Sequence, residues 1–326
     1  MYKKVSIIGC GSWGMAIANH ISKNVHVELI HYNKKFISQL IDSRVYSSSF
    51  KFRLSENIKP AHELNTKSDL LIFASPVQFI NSYQDLDLKR NDPKLLILSK
   101  GIDSENIMFP KEIFEKNFNI NSSNIAVLSG PSHAEQLFKK DPTSVVVAST
   151  NKNFANDIQN FFSNDNMRVY TSTDTTGVQL GGAIKNVIAI AAGIMYGLGL
   201  KENSISALIT RGLFELKKLG IIMGSEKDTL NGLSGLGDLM ATCFSDDSRN
   251  RKAGIMIAKG KSLSFITETL NIKAEGINTC KSIYKLSQKF NIKLPICESI
   301  YDILYDNKNP KTAISELMIR DLKREF

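Results

Sequence analysis

Along the first half of the chain, short runs of continuous apolar residues alternate with stretches whose apolar positions recur every three or four residues. The runs Val5–Ile8, Val25–Ile30, Asp69–Ala74, Lys94–Leu98, Ile125–Leu128, Ser144–Ala148 and Met167–Tyr170 predict strands. Between them, Met15–Ser22, Phe79–Leu86, Pro110–Asn117, His133–Lys139 and Asn153–Phe162 predict helices. Strands that lack polar alternation have both faces covered, the habit of a mostly parallel sheet wound with helices on each side. After Asp174 no convincing strand pattern occurs, and helical periodicity continues to the end. It predicts a helix around Lys185, then Ser204–Leu219, Arg251–Lys259, Phe265–Leu270, Gly276–Phe290, Pro295–Tyr305 and Pro310–Lys323, with a glycine-rich break at Gly232–Asp238. The expected class is α/β: a doubly wound, mostly parallel sheet domain over residues 1–174 and an all-α domain over residues 175–326.

Lys185 interrupts the apolar, small-residue stretch Gly181–Ala192. A helix that is apolar nearly all round is normally buried, and a buried ammonium costs several kcal/mol, roughly, unless it has partners or a task. Two readings are open. Lys185 snorkels to water near the first turn, or it faces a cleft with a desolvated, lowered pKa and serves as general acid and base.

Composition narrows the class. At 326 residues and 42% hydrophobic content, the chain is long enough for two domains with sizeable cores. The net charge of +9 would suit nucleic acid, but the lysines are scattered and no basic run is interleaved with aromatics. A phosphorylated small molecule is therefore the preferred anionic partner. Cys10, Cys243, Cys280 and Cys297 form no C-x-x-C pair; they suggest neither a metal site nor a disulfide framework, and they fit a reducing cytosol. The amino terminus runs from Lys3–Lys4 into a strand too short for a signal-peptide core. The longest uncharged apolar run, Val187–Leu200, carries three glycines and falls short of the ~18 residues of a membrane span.

Directly after the first predicted strand stands Gly9-Cys10-Gly11-Ser12-Trp13-Gly14, a G-x-G-x-x-G that opens a helix. Gly9 permits the tight turn, Gly11 lets a pyrophosphate approach the backbone and Gly14 packs helix on strand, so the pattern predicts dinucleotide binding on a Rossmann-type sheet. The second strand ends in His31-Tyr32-Asn33-Lys34-Lys35 with no acid, while Glu28 is expected on the solvated face. Without an acid for the ribose 2′-hydroxyl, and with two lysines, the site permits a 2′-phosphate; NADPH is expected, with NADH as a second cofactor. Other strand ends read Ala74-Ser75-Pro76-Val77, Ser99-Lys100-Gly101 and Ser129-Gly130-Pro131-Ser132-His133-Ala134, and at one of them Lys100 is favoured as a ligand contact. In the second half, Ser248-Arg249-Asn250 precedes a helix, offering a hydroxyl, a guanidinium fork and an amide to a phosphate. Alternatively Ser248 is only a helix cap and Arg249 a solvated side chain.

Taken together these segments resemble the bacterial-type NAD(P)-dependent glycerol-3-phosphate dehydrogenases. The resemblance rests on the Gly9–Gly14 loop, Ser99-Lys100-Gly101, Ser129–Ala134, the segment Gly177–Ala189 around Lys185, Thr210-Arg211-Gly212, Gly235–Leu239, Ser248–Arg251 and Glu275-Gly276, in family order over nearly the whole chain. It implies a helical domain of the 6-phosphogluconate-dehydrogenase type, Lys185 as general base, and substrate held by Lys100, Gly130, Ser132, Lys185, Asp238, Ser248, Arg249 and Asn250. It also implies dinucleotide contacts from Ser12, Trp13, Lys100, Ala134, Arg249 and Glu275, and places Tyr32 and Lys273 at cofactor positions. The chain departs from the family pattern at Ile30 and Tyr32, at His133 and at Lys273, where an aromatic follows Gly-Pro-Ser and an aliphatic precedes Ala-Glu-Gly in the usual form. The implied reaction is reversible hydride transfer between NAD(P)H and dihydroxyacetone phosphate, giving glycerol 3-phosphate for phospholipid synthesis, in a cytoplasmic homodimer without nucleic acid or membrane span. Competing readings are a related dehydrogenase for another hydroxy acid or sugar acid, and a non-catalytic NAD(P)-binding sensor.

Overall fold

The computed structural model describes all residues except 1, 49, 65–67, 85–87, 89–92, 270–273, 323 and 326. Strand β1 (Lys4–Ile8) leads into α1 (Ser12–Ile21), followed by β2 (His26–Ile30), α2 (Lys34–Ser43), a small hairpin of β3 (Val45–Ser47) and β4 (Lys51–Arg53), and β5 (Ile58–Ala61). Then come β6 (Leu70–Phe73), β7 (Leu95–Ile97), α3 (Pro110–Asn117), β8 (Ile125–Ser129), α4 (Ala134–Phe138), β9 (Thr143–Ala148), α5 (Lys152–Phe162) and β10 (Met167–Ser172). The sheet has eight strands in the order β10-β9-β8-β7-β6-β1-β2-β5. All pairs are parallel except β8 with β9. Strands β6 and β8 are buried along their whole length, as continuous apolar runs in a covered sheet must be.

The strand and helix order matches the sequence pattern, with additions where the pattern is weak. Helix α2 is not among the predicted helices; it buries only the narrow stripe of Ile37 and Leu40, with Phe36 packed half-buried beside them. Strand β5 carries Pro60, which argues against a central strand, and it indeed lies at the sheet edge. Glu28 is not simply solvated, because its carboxylate accepts from the Ser6 hydroxyl on the neighbouring strand at 3.1 Å. The helix expected over 79–86 is a 3₁₀ segment, Val77–Tyr83, and part of the expected stretch lies outside the described residues.

The remaining chain is helical: α6 (Thr175–Gly197), α7 (Glu202–Ile222), α8 (Asp238–Phe244), α9 (Arg249–Ala258), α10 (Glu275–Lys289), α11 (Pro295–Tyr305) and α12 (Pro310–Met318). Helix α12 stops before the expected Lys323, and the glycine-rich break is a π-helical turn, Leu233–Gly237, running into α8. Helix α6 is the axis of this part. By length and composition it is apolar enough to cross a membrane, yet 94% of that apolar window is buried inside the protein. Its glycines let neighbours approach: a Cβ on Gly193 would overlap the Arg251 carbonyl oxygen, and one on Gly254 of α9 the Ile190 carbonyl oxygen. Tight helix packing of this kind relies on small residues at the crossing rather than on large interdigitating ones.

A buried carboxylate fastens two of the outer helices. Glu215 of α7 accepts from the backbone N–H of Ile296 at 2.7 Å and of Cys297 at 3.2 Å, closing the otherwise uncapped start of α11. Burial pushes its pKa up to about 7 from 4.5, against the two hydrogen bonds, which favour the charged form. The folded state thus prefers neutral Glu215; its contribution is complete below pH 4.5 and is lost as pH rises through about 7. Glu215→Gln, which keeps an acceptor but no charge, should therefore gain on the native chain by about 2 kcal/mol between pH 5 and pH 8 in paired thermal melts. A melting difference that stays constant over that range would contradict the assignment.

Candidate active site

The carboxyl ends of the parallel strands β1, β2, β6, β7 and β8 share one edge, where ligands bind in open α/β sheets. There the loop after β1 turns through Gly9 at φ +111°, and a Cβ on Gly9 would press on the backbone of Ala74 and Ser75. A Cβ on Gly14 would overlap the Gly9 carbonyl, whereas nothing lies within 4 Å of one on Gly11. The two flanking glycines are thus required by packing, and Gly11 faces open space. Helix α1 starts at Ser12 with no side chain capping it, so its positive end is available to an anion. These features fit a dinucleotide pyrophosphate. Trp13 packs half-buried on the sheet core, and its indole N–H has no hydrogen-bond partner among the described residues.

Beside this loop stand two exposed rings. Tyr32, 68% exposed, faces Phe79, 51% exposed, with ring centroids 6.5 Å apart, and the His31 ring lies tilted against Tyr32 at 4.4 Å. Phe79 was read only as part of a helix. Its signal in the sequence was position alone, an aromatic ring just beyond a strand end.

The charged centre joins sheet and helices. Lys185 of α6 is buried, and its Nζ donates to Asp238 Oδ1 at 2.5 Å. The other carboxylate oxygen accepts from Lys100 Nζ at 2.7 Å, and Lys100 also reaches the Gly130 carbonyl at 3.0 Å and the Ser132 hydroxyl at 3.3 Å. Asp238, the first residue of α8, is 1% exposed. Burial would push its carboxyl up, but the two ammonium groups outweigh burial and hold it below the usual carboxylate range. Burial also lowers Lys185 to about 8; Asp238 opposes that shift and Lys100 adds to it. The lysine therefore does not snorkel. Gly182, one turn before Asn186, leaves room here: a Cβ on it would meet the Ser129 hydroxyl at 2.8 Å and the Lys100 stem at 3.4 Å.

Around this centre the other expected residues take unequal parts. Ala134 is buried at the start of α4. Ser248 is the cap of α9, accepting from the Arg251 N–H at 3.2 Å, while Arg249, the first residue of α9, is exposed. Asn250 is buried; its Nδ2 donates to Asn186 Oδ1 at 2.9 Å and its Oδ1 accepts from the Gly276 N–H at 2.9 Å. Asn186, next to Lys185, was missed as a partner because the pairing crosses from α6 to α9. Glu275 opens α10; burial raises its pKa, and Arg249, Lys185 and Lys100 are the cations that oppose the rise. Lys273 lies outside the described residues. Among the described residues no group of three His, Cys, Asp or Glu side chains is arranged to hold a metal ion.

A proton carrier with a pKa near neutrality beside a second cation, a phosphate-type helix start and a dinucleotide loop is equipped for acid–base work on an anionic substrate. Comparison with known proteins agrees. The model of the NAD-dependent glycerol-3-phosphate dehydrogenase N-terminus matches residues 4–155, and that of the C-terminus residues 174–315. The chain is 40% identical over 330 residues to glycerol-3-phosphate dehydrogenase (NAD(P)+) of Fusobacterium nucleatum, covering 99% of this chain and 98% of that one. It is 38% identical over 329 residues to the enzyme of that name from Thermoanaerobacter, covering 99% of each. Among solved structures, glycerol-3-phosphate dehydrogenase from Coxiella burnetii superposes with a TM-score of 0.88 at 29% identity, covering 98% of this chain and 99% of that one.

If the shared carboxylate is what keeps Lys185 as high as about 8, Asp238→Asn should move the pH midpoint for modification of Lys185 by a small amine reagent down by about one unit or more. An unmoved midpoint would mean that Asp238 does not set the charge state of the lysine.

Proposed function

The chain belongs to the family of NAD-dependent glycerol-3-phosphate dehydrogenases, and from that premise we propose how its own residues carry out the interconversion of dihydroxyacetone phosphate and glycerol 3-phosphate. The observation that carries the proposal is the carboxylate of Asp238 shared by Lys185 and Lys100 at the strand-end cleft. The bound nicotinamide dinucleotide supplies or accepts the hydride at carbon 2 of the substrate. Gly9, Gly11 and Gly14 shape its pyrophosphate seat, with Ser12 and Trp13 at the helix start, Tyr32 toward the adenosine end, and Ala134, Arg249 and Glu275 on the cleft side.

Lys185 handles the proton. With its pKa near 8 it is mostly an ammonium at neutral pH, fit to donate to the carbonyl oxygen as that oxygen gains charge. In oxidation the same amine, once neutral, takes the hydroxyl proton from carbon 2. Lys100, which shares the Asp238 carboxylate with Lys185 and bonds to Gly130 and Ser132, is assigned with those two residues to the substrate side of the site. The phosphate end falls to Arg249, the Ser248 hydroxyl, the second N–H of Asn250 and the start of α9.

Further parts of the reading rest on particular residues. The absence of an acid at the end of β2, with Lys34 and Lys35 opening α2, supports NADPH as the preferred cofactor and NADH as the second. Apolar residues exposed on α7 and α8, among them Phe214, Ile221, Met240 and Phe244, support a homodimer formed through the helical part. The passage from β10, ending at Ser172, to α6, starting at Thr175, supports a domain division at residue 174. Four buried free thiols support a reducing, cytoplasmic setting, where glycerol 3-phosphate would serve phospholipid synthesis.

The test follows absorbance of NADH and NADPH separately with dihydroxyacetone phosphate as acceptor. Lys185→Ala should lower turnover by roughly 10²–10⁴-fold while dinucleotide binding survives; unchanged turnover would remove the lysine from the mechanism. Arg249→Ala should raise the KM for dihydroxyacetone phosphate far more than Arg211→Ala does. Activity confined to hydroxy carboxylates would overturn the substrate assignment.

A further inference from the structure

The loop after β8 runs past the start of helix α8, with residues near it on both sides of Asp238. On one side, a Cβ built on Gly237 would lie 3.7 Å from Cδ of Pro131, so the proline ring lies about a methyl group away from the residue before Asp238. On the other, the carbonyl oxygen of Ala241, one turn further along α8, meets His133 Nε2 at 3.3 Å. A carbonyl only accepts, so Nε2 carries the proton and donates. Ser132, between Pro131 and His133, meets Lys100 Nζ at 3.3 Å. The same tripeptide thus lies beside the turn that leads into α8, bonds to α8 through His133 and meets the second lysine through Ser132.

We propose that His133 is a positioning residue, clamping α8 to this loop so that Asp238 stays between Lys185 and Lys100. This deepens the assignment of Lys185 as proton carrier and rests on it. The imidazole suits the task because it donates without carrying charge. Burial lowers its pKa below the ordinary 6.5; the nearby Lys185 and Lys100 lower it further, while Asp238 and the bond to Ala241 act the other way. A permanent cation at this place would compete with the two lysines for the carboxylate. The charged groups that set Lys185 are Asp238 of α8 and Lys100 beyond β7, with Glu275 of α10 and the Cys243 thiol of α8 also in electrostatic reach.

The experiment compares the native enzyme with His133→Phe, which keeps a ring but no donor, and His133→Gln, whose amide N–H can reach the same carbonyl. Glycerol 3-phosphate oxidation is followed from pH 6 to pH 10, with dinucleotide KM and thermal melting recorded in parallel. His133→Phe should lower kcat by about three- to tenfold, the scale of one modest hydrogen bond, and move the limb set by Lys185 to lower pH, because a receding Asp238 no longer holds the ammonium. Dinucleotide KM should stay within twofold, and His133→Gln should restore both kcat and the limb. A His133→Phe profile that overlays the native one, or a loss shared equally by His133→Gln, would overturn the clamp. If His133→Phe does not fold, His133→Asn, too short to reach the carbonyl, takes its place with the same two outcomes. Persistence of the same limb in Lys185→Ala would instead count against the underlying assignment of Lys185 as proton carrier.

Discussion

A carboxylate almost wholly removed from water, held between two ammonium groups, is the interaction on which the rest of this structure depends. Alone, any of the three charges would be expensive to bury, and removing one partner from such an array leaves an uncompensated charge in a poor solvent. Together they leave a net positive charge at the mouth of the cleft, favourable for an anionic substrate. The partners come from far apart in the chain: Asp238 is 53 residues from Lys185 and 138 from Lys100. Sheet edge, α6 and α8 must therefore all be in register before the charges meet.

Much of this was legible in the sequence because it depends on local patterns. Continuous apolar runs marked the covered strands, and prolines marked the starts of α3, α11 and α12. The Gly9–Gly14 loop could be read from spacing alone, since Gly9 and Gly14 answer packing demands and Gly11 keeps the loop open. What escaped reading depends on distant partners. Strand β5 is only four residues long and interrupted by proline, so its pairing with β2 is what shows it to be a strand. Helix α2 has a narrow apolar stripe, and the π-helical turn before α8 looks like any glycine-rich break. Asn186, Phe79 and the contact of His133 with Ala241 are unremarkable until elements separated in sequence are brought side by side.

The segment at the start of α9 shows that the two meanings available to a residue need not exclude each other. Ser248 is a helix cap, as the plain reading had it, yet its hydroxyl hydrogen remains available to a ligand oxygen. Asn250 spends its oxygen and one N–H on Gly276 and Asn186, which fixes the direction in which its remaining N–H points. Preorganisation of this sort comes from donors already tied to the framework, so that little ordering is left for the moment of binding.

The bare glycine at position 182 has a bearing on redesign. A methyl group there would press on the Ser129 hydroxyl and touch the Lys100 stem, so even the smallest enlargement of this face of α6 would be felt by the groups beside the shared carboxylate.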